Sequence, residues 1–187
     1  ARFDAARFYD QLVAFLREVD PRGRNDFLEF VEELDEEVGI HLRDDVLDHL
    51  GDVWRVYNSP GDGGLLITGL TLAIDVRDAA AFRQSLETFI TALKLEMGQD
   101  GGRHRVALEE IAVDGTPIYF LNAIGEEMPV APAWCLADDT LVIAPYPQMV
   151  KAFLGREPAD GSITSVPEVS SALGSDGHLV AVGYVDL

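Results

Sequence analysis

Apolar residues change their spacing near residue 50, and that change limits the architectures open to this chain. Before it they recur at three- and four-residue steps, the period of an α-helix. Beyond it they mostly alternate, the period of a strand with one buried face. Phe8, Leu12, Phe15, Leu16 and Val19 form one face of a first helix. The stretch DPRGRND interrupts it, and Asn25 or Asp26 is placed to cap a second helix. There Phe27, Phe30, Val31, Leu34 and Val38 fall at i, i+3, i+4, i+7 and i+11. Gly39 stands where a C-terminal cap belongs. A short third helix is predicted next, with Leu42, Val46 and Leu50 inward and Gly51 closing it.

Strand signals follow. VWRVYNS reads as one strand, and GDGG after Pro60 as a loop or hairpin turn. In LLITGLTLAIDV, Leu70, Leu72, Ile74 and Val76 share one face, while Gly69, Thr71, Ala73 and Asp75 share the other. Asp78 caps a long helix with Phe82, Leu86, Phe89, Ile90, Leu93 and Met97 on its apolar face, ended by GQDGG. HRVALEEIAV and PIYFLNA form a hairpin around Asp114 and Gly115. After the polar loop IGEEMPVAP, AWCLA and TLVIA pair across Asp138 and Asp139. YPQMVKAFLG is a short helix, and a weak helix near VPEVSSALG precedes a last strand, HLVAVGYVDL. Short links between strands predict an α+β fold: a mainly antiparallel sheet with helices packed on one face and an N-terminal helical segment. No repeat or low-complexity linker divides the 187 residues, so residues 1–187 are expected to form a single domain. The chain opens mid-pattern and stops on an apolar strand, and both ends are expected to be boundaries inside a longer protein.

Charge narrows the function classes. The formal net charge is −19 and the isoelectric point is near 4.3. Such a field repels phosphate backbones and anionic lipid, which argues against nucleic acid and unaided membrane-surface binding. It suits cations or basic partners. Apolar residues make up 48% of the chain, enough to exclude bulk disorder. No apolar run reaches the roughly 18 residues of a membrane span, and no secretory signal is visible. One cysteine makes neither an internal disulfide nor a zinc cluster.

The densest group of potential ligands is HLRDDVLDHLGD, residues 41–52. On an α-helix His41 and Asp45 lie four apart, as do Asp45 and His49, and Asp48 and Asp52. Pairs at that spacing can reach one divalent metal, so His41, Asp45, Asp48 and His49 are the metal candidates. The competing reading is the wet face of an amphipathic helix, with acidic residues suited to its N-terminus. Asp-Gly occurs five times, at 62–63, 100–101, 114–115, 160–161 and 176–177, without the ligand pattern of a calcium loop. These sites read as turns. Cys135 alternates with Trp134 and Leu136 on a strand and reads as a small buried hydrophobe. Nothing brings His104 or His178 to it as an activating base. No dinucleotide, phosphate-loop, zinc-protease or nucleophile-elbow motif occurs. Only Lys94 and Lys151 represent lysine, which argues against a phosphate patch. Glu109 and Glu110 point to opposite faces of one strand, a poor acid/base pair. No catalytic residue and no cofactor are expected.

The segments VEELDEEVGIHLRDDVLDHLGD and DVRDAAAFRQSLETFI, then GTPIY, DDTLVIAP and the closing YVDL, together resemble a large bacterial family. It is the domain of unknown function numbered thirty-three fifty-two, found in cell-envelope proteins. The resemblance covers most of the chain and rests on spacings of apolar and turn residues. It implies an extracytoplasmic location and a larger parent, and it carries no catalytic residues. Two functions follow as expectations. One is a non-enzymatic structural or binding module for a protein or apolar ligand. The other is a metal-dependent hydrolase or metal-binding module using the 41–52 segment.

Overall fold

The structure, a computed structural model, describes residues 3–58, 69–99, 106–123, 130–156 and Pro167. Asp4 caps helix α1 (Ala5–Val19), its carboxylate accepting the Arg7 N–H at 2.9 Å. The chain re-enters a helix at once as α2 (Pro21–Val38). Asp20 is its cap, accepting the Gly23 N–H at 3.0 Å, in place of Asn25 or Asp26. DPRGRND does end α1, but proline in a first turn has no N–H to satisfy, so the same stretch starts α2 at once, ahead of the expected cap. Gly39 takes φ 75° at its end, the left-handed cap expected there.

The third α-helix does not form. Leu42–Val46 make a π-helical turn and Leu47–His49 a 3-10 turn. The Asp45 and Asp35 carboxylates accept the N–H groups of His41 and Leu42 at 2.8 and 3.0 Å. These carboxylates cap the N–H groups at the start of the turns, which would otherwise lack a partner. Leu50 already opens strand β1 (Leu50–Asn58). Gly51 therefore closes no helix; it lies in a bulge between the Leu50–Val76 and Trp54–Ile74 pairs. A Cβ there would stand 2.7 Å from the Asp75 carbonyl oxygen, so this close approach of strands requires glycine.

Strand β2 (Leu70–Val76) leads to helix α3 (Ala79–Gln99), capped as predicted by the Asp78 carboxylate on the Ala81 N–H at 3.0 Å. Strands β3 (Val106–Val113) and β4 (Thr116–Ala123) turn through Asp114 and Gly115 at φ 49° and 84°. Both residues adopt the left-handed region that this two-residue hairpin demands. Strands β5 (Ala133–Ala137) and β6 (Thr140–Ala144) turn at Asp138, also left-handed at φ 50°, and helix α4 (Pro147–Leu154) follows. The sheet order is β1-β2-β6-β5-β4-β3, every pair antiparallel. The α+β class and the N-terminal helical segment stand as expected. GDGG, residues 65–68, His104, IGEEMP, His178, the VPEVSSALG helix apart from Pro167, and the last strand lie outside the described residues.

Two cores sandwich the sheet. On one face Leu50, Ile74, Val76, Leu136 and Leu141 meet Ala5 of α1 and Phe82 of α3. On the other, Ile118, Ala133, Cys135, Val142 and Ala144 meet Met149 and Val150 of α4. Helices thus cover both faces, where one was expected. AWCLA and TLVIA explain it: as nearly unbroken apolar runs they need cover above and below. Complete burial of Ile118, Val142 and Val150 contributes about 1.5–3 kcal/mol per side chain.

Candidate functional site

The 41–52 segment places its four candidate ligands on separate partners. His41 Nδ1 lies 3.2 Å from Asp35 Oδ2, and its ring is mostly exposed. Asp45 Oδ2 accepts the His41 N–H, while the His41 carbonyl accepts the Asp45 N–H at 2.8 Å. Asp48 Oδ2 accepts from Arg43 Nη1 at 2.7 Å. The His49 carbonyl accepts the Arg77 N–H at 2.8 Å. Only Asp45 and His49 come together, on the wall of a cleft of about 220 Å3 against Gln84, Ser85 and Thr88 of α3. Both hydroxyls in that wall are spent on their own helix: Ser85 donates to the Ala81 carbonyl and Thr88 to the Gln84 carbonyl. Among the described residues no three histidine, cysteine or carboxylate side chains converge as a metal site. The four-residue spacing suggested a common point because an α-helix was assumed; the π and 3-10 turns change the rotation per residue and disperse the set.

Arg43 gathers the acidic side chains instead. It reaches Asp10 through Nε at 3.1 Å and Nη2 at 2.9 Å, and its Nη1 also meets Asp44 at 3.2 Å. This bond holds the Asp10 carboxyl below its ordinary range. The fork ties α1 to the turn segment and is a structural use of charge.

Cys135 lies wholly buried among Ile118, Ala133 and Val142. Burial pushes its thiol up to about 11, the opposite of what a nucleophile needs. Glu109 and Glu110 take opposite faces, as expected: Glu109 accepts from Asn122 at 2.6 Å and Glu110 pairs with Lys94 at 3.2 Å. Tyr119, beneath Lys94, is raised above its ordinary value first by desolvation and then by Glu110.

The unexpected surface is on α1. Its apolar stripe splits: Leu12 and Leu16 turn half inward, while Phe8, Phe15 and Val19 remain 51%, 58% and 65% exposed. At about 100° per residue these three fall within an arc of about 40°. The base of the stripe is anchored, since the Phe8 ring meets Phe3 at 5.2 Å and Phe3 meets Trp54 at 5.2 Å. Phe30 on α2 is likewise 61% exposed. Three clustered exposures on one helix differ from scattered surface apolar residues, which are ordinary. Periodicity identified the stripe but could not report what covers it. The signal available in sequence was the acidic run on the neighbouring helix, which makes α2 a poor partner for a deep core.

The chain matches no protein-family model, no curated protein and no solved structure. Among the described residues no helix is long and apolar enough to cross a membrane.

Proposed function

We propose that this chain is a non-enzymatic binding domain of a bacterial cell-envelope protein, with the outer stripe of α1 as its working surface. The observation that carries this reading is the exposure of Phe8, Phe15 and Val19 along one helix face. Water-facing aromatic side chains in a row lose free energy that a partner recovers by covering them. The buried, protonated Cys135 and the dispersed carboxylates support a role without catalysis. The envelope location rests on the resemblance of the hairpin and helix patterns to the bacterial envelope family.

Selection of displayed random peptides against the immobilised chain, run in parallel against Phe15→Asp, tests the reading. Phe15 is exposed, so the variant is expected to keep the parent melting temperature. Selected peptides are expected to bind it roughly 30-fold more weakly, the loss typical of an interface anchor. Peptides that bind both chains equally would overturn α1 as the working surface.

A further inference from the structure

We infer that the partner of the α1 stripe is an amphipathic helix of another protein whose apolar face is flanked by lysine and arginine. This rests on the binding reading above and adds the partner's chemistry. The stripe specifies the apolar half. Phe8, Phe15 and Val19 stand at i, i+7 and i+11, which spans about three turns, the repeat that a second helix meets with its own i, i+3, i+4 and i+7 positions.

Helix α2 specifies the charge. From Asp26 to Glu37 it holds seven acidic residues and no basic one. Glu29, Glu32, Glu33, Glu36 and Glu37 are all exposed. None of the ion pairs among the described residues involves them. Nor does this pattern serve the helix. Its first turn has no acidic residue and its last turn no basic one, so the charge opposes the helix dipole at the C-terminal end. Glu29 and Glu33, Glu32 and Glu36, and Glu33 and Glu37 are like-charge pairs at i, i+4, each of them unfavourable. A basic neighbour relieves all three at once. Helices packed as α1 and α2 are have axes about 8–10 Å apart. A helix laid on α1 therefore brings its flanking charges within about one Debye length of α2.

The same charge argues against other occupants. A second copy of this chain would bring two acidic helices together. An anionic membrane would meet the same repulsion.

Three synthetic helices of about 20 residues, long enough to hold helical structure, provide the test. They share one leucine stripe and differ only in flanking lysine, glutamine or glutamate. Fluorescence anisotropy against the full chain is expected to show the lysine helix binding at least about tenfold tighter than the glutamine helix, with no binding of the glutamate helix. Raising salt to about 0.5 M should remove most of that preference. Phe15→Asp should abolish binding. Glu36→Lys should weaken it several-fold while raising the melting temperature, a combination that a purely structural role would not produce. Equal binding of the lysine and glutamine helices would overturn the basic partner and leave the binding reading intact. Failure of all three helices would overturn this inference, and failure of the peptide selection as well would end both. A concentration-dependent dimer in sedimentation, or adsorption of the chain to phosphatidylcholine vesicles that Phe15→Asp abolishes, would replace the partner helix by a second copy or by lipid and overturn it too.

Discussion

Arg43 grips Asp10 with two nitrogens across 33 positions of sequence, Nε to Oδ1 at 3.1 Å and Nη2 to Oδ2 at 2.9 Å. The contact fastens the base of α1 to the turns that precede the sheet. Its pH dependence has a definite sign. The hydrogen bond from Arg43 depresses the folded Asp10 carboxyl below its ordinary value of 3.8. A depressed value gives stability that is complete above the unfolded value and is lost as pH falls through the folded one. Arg43→Met is therefore expected to be less stable than the parent near neutral pH, with the difference closing below about pH 4. Urea denaturation at both pH values checks it. A difference that persists unchanged at low pH would show the fork to be idle.

Gly51→Ala separates backbone approach from backbone freedom. The new methyl group would meet the Asp75 carbonyl oxygen at 2.7 Å and the Asp75 Cβ at 2.9 Å, neither of which can swing aside. A loss of about 1–3 kcal/mol is expected in urea denaturation. Gly115→Ala meets no atom within 4 Å but sits at φ 84°, so its cost, about 1–2 kcal/mol, is conformational. Repacking elsewhere should lessen the first loss and leave the second.

Cys135 is expected to resist thiol reagents in the folded chain and to react fully once urea unfolds it. With the thiol pushed up to about 11, labelling of the folded chain should stay slow at pH values well below that. Cys135→Ser places a hydroxyl among Ile118, Ala133 and Val142 and should cost about 1–3 kcal/mol. Fast labelling of the native protein would contradict its burial.

The dispersal of His41, Asp45, Asp48 and His49 predicts that zinc, manganese and calcium at millimolar concentration leave the melting temperature unchanged. A saturating ligand at about 100 times its dissociation constant would add about 2.7 kcal/mol to stability, well within calorimetric reach. A rise of several degrees with one metal, abolished by His49→Ala, would reinstate a site at the cleft.

Glu36→Lys reads the charge pattern of α2 through stability. It places a cation in the last turn and converts the Glu32 pair from repulsive to attractive. A gain of about 0.5–1 kcal/mol is expected from thermal unfolding. A loss would mean that Glu36 has a partner in the native chain.

Much of this architecture was legible in the residues. The cap at Asp78, the left-handed glycine at 39, the turn at Asp114 and Gly115, and the pairing of AWCLA with TLVIA all rest on local chemistry. Local chemistry also misled in two places. The segment after Gly39 has a helical period, yet its backbone makes only π and 3-10 turns before Leu50 enters β1, a tertiary choice that periodicity cannot register. Pro21 opens α2 directly after α1 ends, ahead of the cap expected at Asn25 or Asp26. The α4 face was hidden for a different reason: pairing AWCLA with TLVIA gives their register, but not that runs apolar on both sides need a helix on each face. The functional surface was the least legible. An apolar stripe has the same spacing whether a core or a partner covers it, and only the structure shows Phe8, Phe15 and Val19 facing outward.

Amide hydrogen exchange of the chain, with and without the lysine-flanked helix, measures the central claim most directly. Slowed exchange confined to α1 and α2, and absent in Phe15→Asp, is the predicted result. Slowing at the Asp45 and His49 cleft or over the sheet, with α1 unchanged, would contradict it.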